Sequence, residues 1–224
     1  MFGTGLWGDF PELLNKNGFN NNWLLVPANF KNSDNLFNVL KLSRKENKSR
    51  FNFIYSSLDI MSWLEILKDY IIIFIKSYQY DYKSIFDYKD KTNLFSLFST
   101  DFLSSVRGAV LLENLIFINS FDKIFSYLTY QKTGFYLQEN QGWELAFNSA
   151  WRKYNHGKLI SVQHSTISFW DLRYHNRFKN YPNSPDFFIV NSISARDAFI
   201  SLNYNQNKVR LLEALRYSKL KKKN

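Results

Sequence analysis

The chain has 224 residues, a net charge of +10, 45% hydrophobic and 19% aromatic content, and no cysteine. That length and apolar content suffice for one sizeable buried core and argue against disorder, while the absence of cysteine excludes disulfides, thiol catalysis and cysteine-ligated metals. The positive charge suits an anionic partner such as a phosphorylated substrate, a membrane surface or nucleic acid. Part of it lies in the run Lys219-Leu220-Lys221-Lys222-Lys223, and the Lys-, Asn-, Phe- and Tyr-rich composition fits an AT-rich coding bias. Neither the charge nor any single aromatic therefore identifies a ligand.

The opening MFGTGLWGDF has neither the basic nor the apolar region of a secretory signal. Asp9–Asn17 reads as a short helix with Asp9 at its N-cap, Pro11 in its first turn and Gly18 closing it. Asn22–Val26 is a predicted strand ended by Pro27, and Ser33–Glu46 a helix. Phe51–Tyr55 is a second short strand. Ser57 to about Tyr80 is a long helix, capped by Ser57, with Ile60, Trp63, Leu64, Leu67, Ile71 and Ile75 expected on its buried face. Its longest apolar run, Tyr70–Ile75, is far short of the ~18–20 residues of a membrane span.

Residues 81–93 read as a surface connection, and Leu94 to about Tyr130 as one long or broken helical region. Gly108 lies inside it, where glycine costs about 1 kcal/mol relative to alanine, so Arg107 beside it is a candidate ligand contact. Gly134–Gln138 and Lys158–Val162 are predicted strands around a helix with Trp143, Ala146, Phe147, Ala150, Trp151 and Tyr154 at helical spacing. His156-Gly157 stops that helix, the glycine being expected in the left-handed conformation. Asp171–Tyr181 is irregular, Asp186–Val190 a strand, Ser192–Leu202 a helix capped by Ser192 or Ser194, and Val209–Leu212 a last strand. This alternation predicts an α/β fold with a parallel sheet and right-handed crossovers.

The strands before Glu139 and His164 both end in hydrogen-bonding residues. In open parallel sheets ligands sit beyond the carboxyl ends of strands, which places a site there. Glu139 could act as a base or orient the His164 imidazole, and Glu144 has an alternative role complementing a helix N-terminus. Asn140, Gln163, Ser165 and Thr166 are candidate hydrogen-bonding residues for substrate, and Arg107 and Arg173, with Arg177, for its anionic groups. His156, at a helix C-terminus, reads as structural, and His175 as ambiguous. No metal spacing, nucleophile elbow, phosphate loop, dinucleotide fingerprint or nucleic-acid motif is present, so neither metal nor cofactor is expected and nucleic acid is a remote partner.

The segments YLQENQGWE, WRKYNHGKLISVQHST, FWDLRY, PD…VNS…A and EALRY, with LWGDFPELL and SSVRGAV…ENL…FD before them, resemble a bacterial surface carbohydrate biosynthesis protein family. The resemblance implies a Rossmann-like sheet like the N-terminal half of a two-domain GT-B glycosyltransferase. Residues 1–190 would form that acceptor-side domain, lacking its first elements, and 191–224 the start of a second domain whose remainder is missing. The chain would be a bacterial glycosyltransferase, or half of one, in surface polysaccharide biosynthesis, using a nucleotide-activated sugar and a glycan or lipid-linked acceptor. It would be cytoplasmic, its basic charge favouring an anionic lipid-diphosphate acceptor at the inner membrane face. Glu139 and His164 would lie nearest the chemistry. Ser161 departs from the family pattern, which has Gly before the histidine segment. The alternative is a non-catalytic glycan- or membrane-binding module that pairs with a separate donor-binding chain.

Overall fold

The computed structural model describes residues 6–26, 50–88, 92–167, 172–174 and 183–215. The helix expected at Ser33–Glu46, His175, Arg177 and the lysine tail lie outside them. In chain order come helix α1 (Phe10–Lys16), strands β1 (Asn22–Leu25) and β2 (Arg50–Phe53), helix α2 (Ile60–Ser77), a short ribbon of β3 (Asp87–Tyr88) and β4 (Thr92–Asn93), and helices α3 (Phe95–Arg107) and α4 (Ala109–Tyr127). Then follow β5 (Thr133–Gln138), α5 (Gly142–Lys153), β6 (Lys158–Gln163), β7 (Phe187–Val190), α6 (Ile193–Ser201) and β8 (Val209–Leu211).

Strands β5, β6, β7 and β8 form one all-parallel sheet in that order, and β1 and β2 pair in parallel as a second, two-stranded sheet. Helices flank the larger sheet, a Rossmann-like α/β arrangement of the class expected from the alternation. The boundary expected at 190/191 falls between β7 and α6, and β8 beyond it pairs with β7 in the same sheet.

Two aromatic clusters hold the layers together. Phe121 and Phe125 of α4 meet Phe147 and Trp151 of α5 above Tyr136 and Leu159 of the sheet. On the β7–β8 side, Phe188, Val190, Phe199 and Val209 close around Tyr174. Each such side chain contributes roughly 1.5–3 kcal/mol when fully buried. Gly134 admits this packing, since a Cβ there would stand 2.6 Å from the Trp151 ring.

Local signals were read correctly at several ends. After α1, Gly18 takes φ 76°, its N–H bonds Asn15 O and that of Phe19 bonds Leu14 O, a Schellman closure. Ser192 caps α6 by accepting from the Ala195 N–H. Three expectations need correction. The cap of α2 is Asp59, which accepts from the Ser62 N–H at 2.9 Å, rather than Ser57, whose hydroxyl bonds Ile54 O. The left-handed residue after α5 is Asn155 (φ 54°) rather than Gly157. Gly157 is needed instead because a Cβ there would collide with the Lys132 carbonyl.

The third correction concerns the face of α2. Its buried residues are Ser62, Ile66 and Ser77, with Ile66 packed on Leu111 and Leu115 of α4. Ile60 is 79% exposed, and Trp63, Leu64, Leu67, Ile71 and Ile75 are also exposed. The apolar stripe is wider than the contact, and the helix meets α4 along one margin of it. Periodicity identified an amphipathic helix but not which part of its apolar arc a neighbour covers.

Candidate functional site

Register brings the two strand ends together. Gln138 of β5 pairs with Gln163 of β6, so the next residues, Glu139 and His164, emerge side by side at the carboxyl edge of the sheet. His164 Nε2 lies 2.7 Å from Glu139 Oε1. Glu139's side chain is 39% exposed and His164's 18%, so the pair faces outward with the imidazole sheltered.

The turn that holds Glu139 is built by Glu144. Its Oε1 accepts the Glu139 N–H at 2.9 Å and the Gln141 N–H at 2.7 Å, reaching back from the first turn of α5 in the manner of a capping box. Glu144 is fully buried, so it is a positioning residue: it fixes the backbone of Glu139 and complements the amino end of α5. Asn140 adopts φ 57°, a left-handed conformation that asparagine tolerates better than most residues.

Several residues expected to meet substrate are committed inside the protein. Asn140 is 2% and Gln163 3% exposed. Asn140 Oδ1 accepts from Gln138 Nε2 at 3.2 Å, and Ser161 Oγ donates to Gln138 Oε1 at 3.3 Å. Gln163 Nε2 donates to Ser165 O at 2.7 Å, while its Oε1 accepts the Asn191 N–H at 3.3 Å, joining the ends of β6 and β7. These side chains shape the strand ends rather than reaching out from them. Ser161 belongs to this buried ladder. Ser165 is half-buried and Thr166 exposed beyond His164.

The arginines do not share one role. Arg107 donates from Nε to Ser77 Oγ (2.6 Å) and from Nη2 to Ser77 O (2.7 Å), and stacks 3.7 Å from the centre of the Tyr78 ring. It clamps the end of α2 to the α3–α4 junction, where the region expected to be one long or broken helix divides at Gly108. A Cβ on Gly108 would stand 2.9 Å from Ser104 Cα, so packing rather than a ligand explains that glycine. Arg173 is exposed in the 3₁₀ turn Leu172–Tyr174.

His156 is structural, as expected, but not as a cation at a helix end. It is buried against Trp151 and Phe125, its Nδ1 accepts the Gln131 N–H at 3.2 Å, and burial pushes its pKa down. Among the described residues no group of three His, Cys, Asp or Glu could hold a metal ion.

One feature of the site escaped the sequence reading. A cavity of about 670 Å³ lies between α1, β1 and β5, with Glu139 in its wall. Asn22 Nδ2 and Gln131 Oε1 tie β1 to the approach of β5 at 3.2 Å, and Phe10 and Phe135 meet edge-on at 5.1 Å between centroids. Its lining aromatics are scattered from Trp7 to Trp151, and in so aromatic a composition no one of them is a signal. Cavities of ~300–1,000 Å³ are of ligand-holding size. No family model matches the chain, and no curated protein or solved structure matches it.

Proposed function

We propose that this chain serves sugar transfer, with Glu139 and His164 as the acid/base pair acting on an acceptor hydroxyl. The observation that supports it is the 2.7 Å contact between Glu139 Oε1 and His164 Nε2 at neighbouring strand ends. The carboxylate of Glu139 beside the ring stabilises the imidazolium that forms when His164 takes a proton. The acceptor oxygen would bond to the sugar's anomeric carbon as its proton passes to His164. The bond from that carbon to the leaving phosphate would break, its electron pair departing with the nucleoside diphosphate. The family resemblance supplies the substrate class, a nucleotide-activated sugar and a glycan or lipid-linked acceptor for a bacterial surface polysaccharide. The strand-end pair supplies the chemistry. Neither metal nor cofactor is part of the proposal.

The test is release of nucleoside diphosphate from a panel of activated sugars in the presence of glycoside acceptors. His164→Ala should lower turnover by about 10²–10⁴-fold, the usual worth of a positioned acid/base group. Glu139→Gln should lower it less and displace the acidic limb of the pH–rate profile to lower pH, since an imidazole without the carboxylate protonates less readily. Turnover unaffected by both substitutions would overturn the assignment, and so would a panel giving no turnover with the wild-type chain.

A second reading, a non-catalytic module seated on an anionic membrane, is favoured by the exposed Ile60, Trp63, Leu64, Leu67 and Ile71 of α2, with Lys68 and Lys76 on the same helix. An amphipathic helix with such a face lies in the plane of a lipid interface. Co-sedimentation with anionic vesicles that is lost in Trp63→Glu/Leu67→Glu, without loss of the folded state, would favour this reading.

A further inference from the structure

We infer that the cavity between β1 and β5 is an apolar-chain site, holding the alkyl or prenyl body of an amphiphile whose hydroxyl-bearing head emerges at Glu139. The placement of the head rests on the proposed acid/base role; the affinity of the cavity for the chain does not.

The chemistry of the lining favours an apolar occupant. Trp7, Phe10, Trp23, Phe135, Trp143 and Phe147 give it an aromatic wall, and Lys132 and Glu139, its charged lining residues, lie beside opposite ends of β5. Many of the polar groups along it already bond one another or the backbone. Asn21 Oδ1 accepts from Trp23 Nε1 (3.0 Å) and its Nδ2 donates to Asn15 (2.9 Å). Asn22 donates to Gln131, and Gln131 Nε2 donates to Thr129 O at 2.7 Å. The Trp151 indole donates to Gly157 O at 2.8 Å, and the Tyr136 hydroxyl accepts from Asn148 at 3.2 Å.

A sugar ring or nucleobase seated here would lose its bonds to water and find few replacements, at a cost of roughly 1–3 kcal/mol for each unsatisfied group. A hydrocarbon chain loses none and gains burial. Six residues of strand at about 3.3 Å each give β5 a length of ~20 Å, so a chain lying along it would carry its head to the strand's carboxyl end, where Glu139 and His164 stand.

The experiment titrates the whole chain with alkyl β-glucosides of one to eight carbons, below their micellar concentrations, following tryptophan fluorescence and calorimetric heat. Affinity should rise by up to about fourfold per added methylene, saturably and at one ligand per chain, until the cavity fills, the burial of one methylene being worth ~0.8 kcal/mol. Leu14→Trp and Leu24→Phe, which narrow the cavity from two sides, should each weaken octyl glucoside binding at least tenfold. If neither variant folds, the wild-type series decides alone. Equal affinity for methyl and octyl glucoside, or non-saturable uptake of the octyl compound, would overturn the inference. The same series on His164→Ala separates the two readings. A retained chain-length slope with unchanged turnover sinks only the acid/base role; a flat slope with lost turnover sinks only the cavity.

Discussion

His156 precedes β6 and His164 follows it, so six residues of strand separate two imidazoles in opposite settings. His164 stands against the Glu139 carboxylate at a half-open strand end. His156 is wrapped by rings, and burial holds its pKa below the ordinary 6.5. The unfolded chain therefore takes up that proton first as pH falls. The contribution of His156 to stability is fully present above about pH 6.5 and is lost as pH drops toward its folded-state value. The urea midpoint of the wild type should fall between about pH 7.5 and 5.5, and His156→Phe should reduce that fall. An equal fall in the variant would show that another group carries it. The residues of the pair were legible in the sequence because strand ends are visible as the edges of apolar runs. The duties of Asn140 and Gln163 were not. An amide beyond a strand reads the same whether it faces solvent or bridges two strand ends, and only the register of β5 on β6 and β7 distinguishes these cases.

At the scale of elements, the order β5–α5–β6 was readable from two apolar strand runs around a helix-spaced segment, while its closing residue, Asn155 rather than Gly157, was not. The close approach of Gly157 to Lys132 predicts that Gly157→Ala costs about 3 kcal/mol or more, the upper end of overpacking effects, measured by chemical denaturation. The α2–α3–α4 hairpins were less readable because their contacts are long-range. Arg107 looked like a ligand contact beside an unexplained glycine, yet its fork is spent on Ser77 and its plane on Tyr78. Lysine cannot reproduce two directed bonds and a planar stack. Arg107→Lys should cost about 1–2 kcal/mol of stability and leave turnover per folded molecule unchanged. A larger loss in turnover than in folded protein would return this residue to the site.

At the scale of the molecule, alternation of strands and helices was enough to expect a parallel sheet, and the larger sheet is one. What alternation could not convey was how the N-terminal strands meet it. Leu24 and Val26 pack against the cluster of Phe121, Phe147 and Leu159, while the space beside them stays open as a cavity. The exposed stripe of α2 has the same origin, since a helix shows its apolar arc in sequence without showing which neighbours arrive to cover it. Among the described residues, the first half of the molecule carries more of the exposed large apolar side chains than the second.

The order of the large sheet also sets a schedule. Each of β6, β7 and β8 lies beside the strand that precedes it in the chain, so this half can add one unit at a time as it emerges from the ribosome. The opposite holds for the N-terminal part. Ile54 is buried by a cluster that extends to Leu159, and synthesis at ~5–20 residues per second leaves it waiting about 5–20 s for the last of those partners. During that interval Ile54 lacks those partners, so completion of this core waits on the synthesis of α5 and β6.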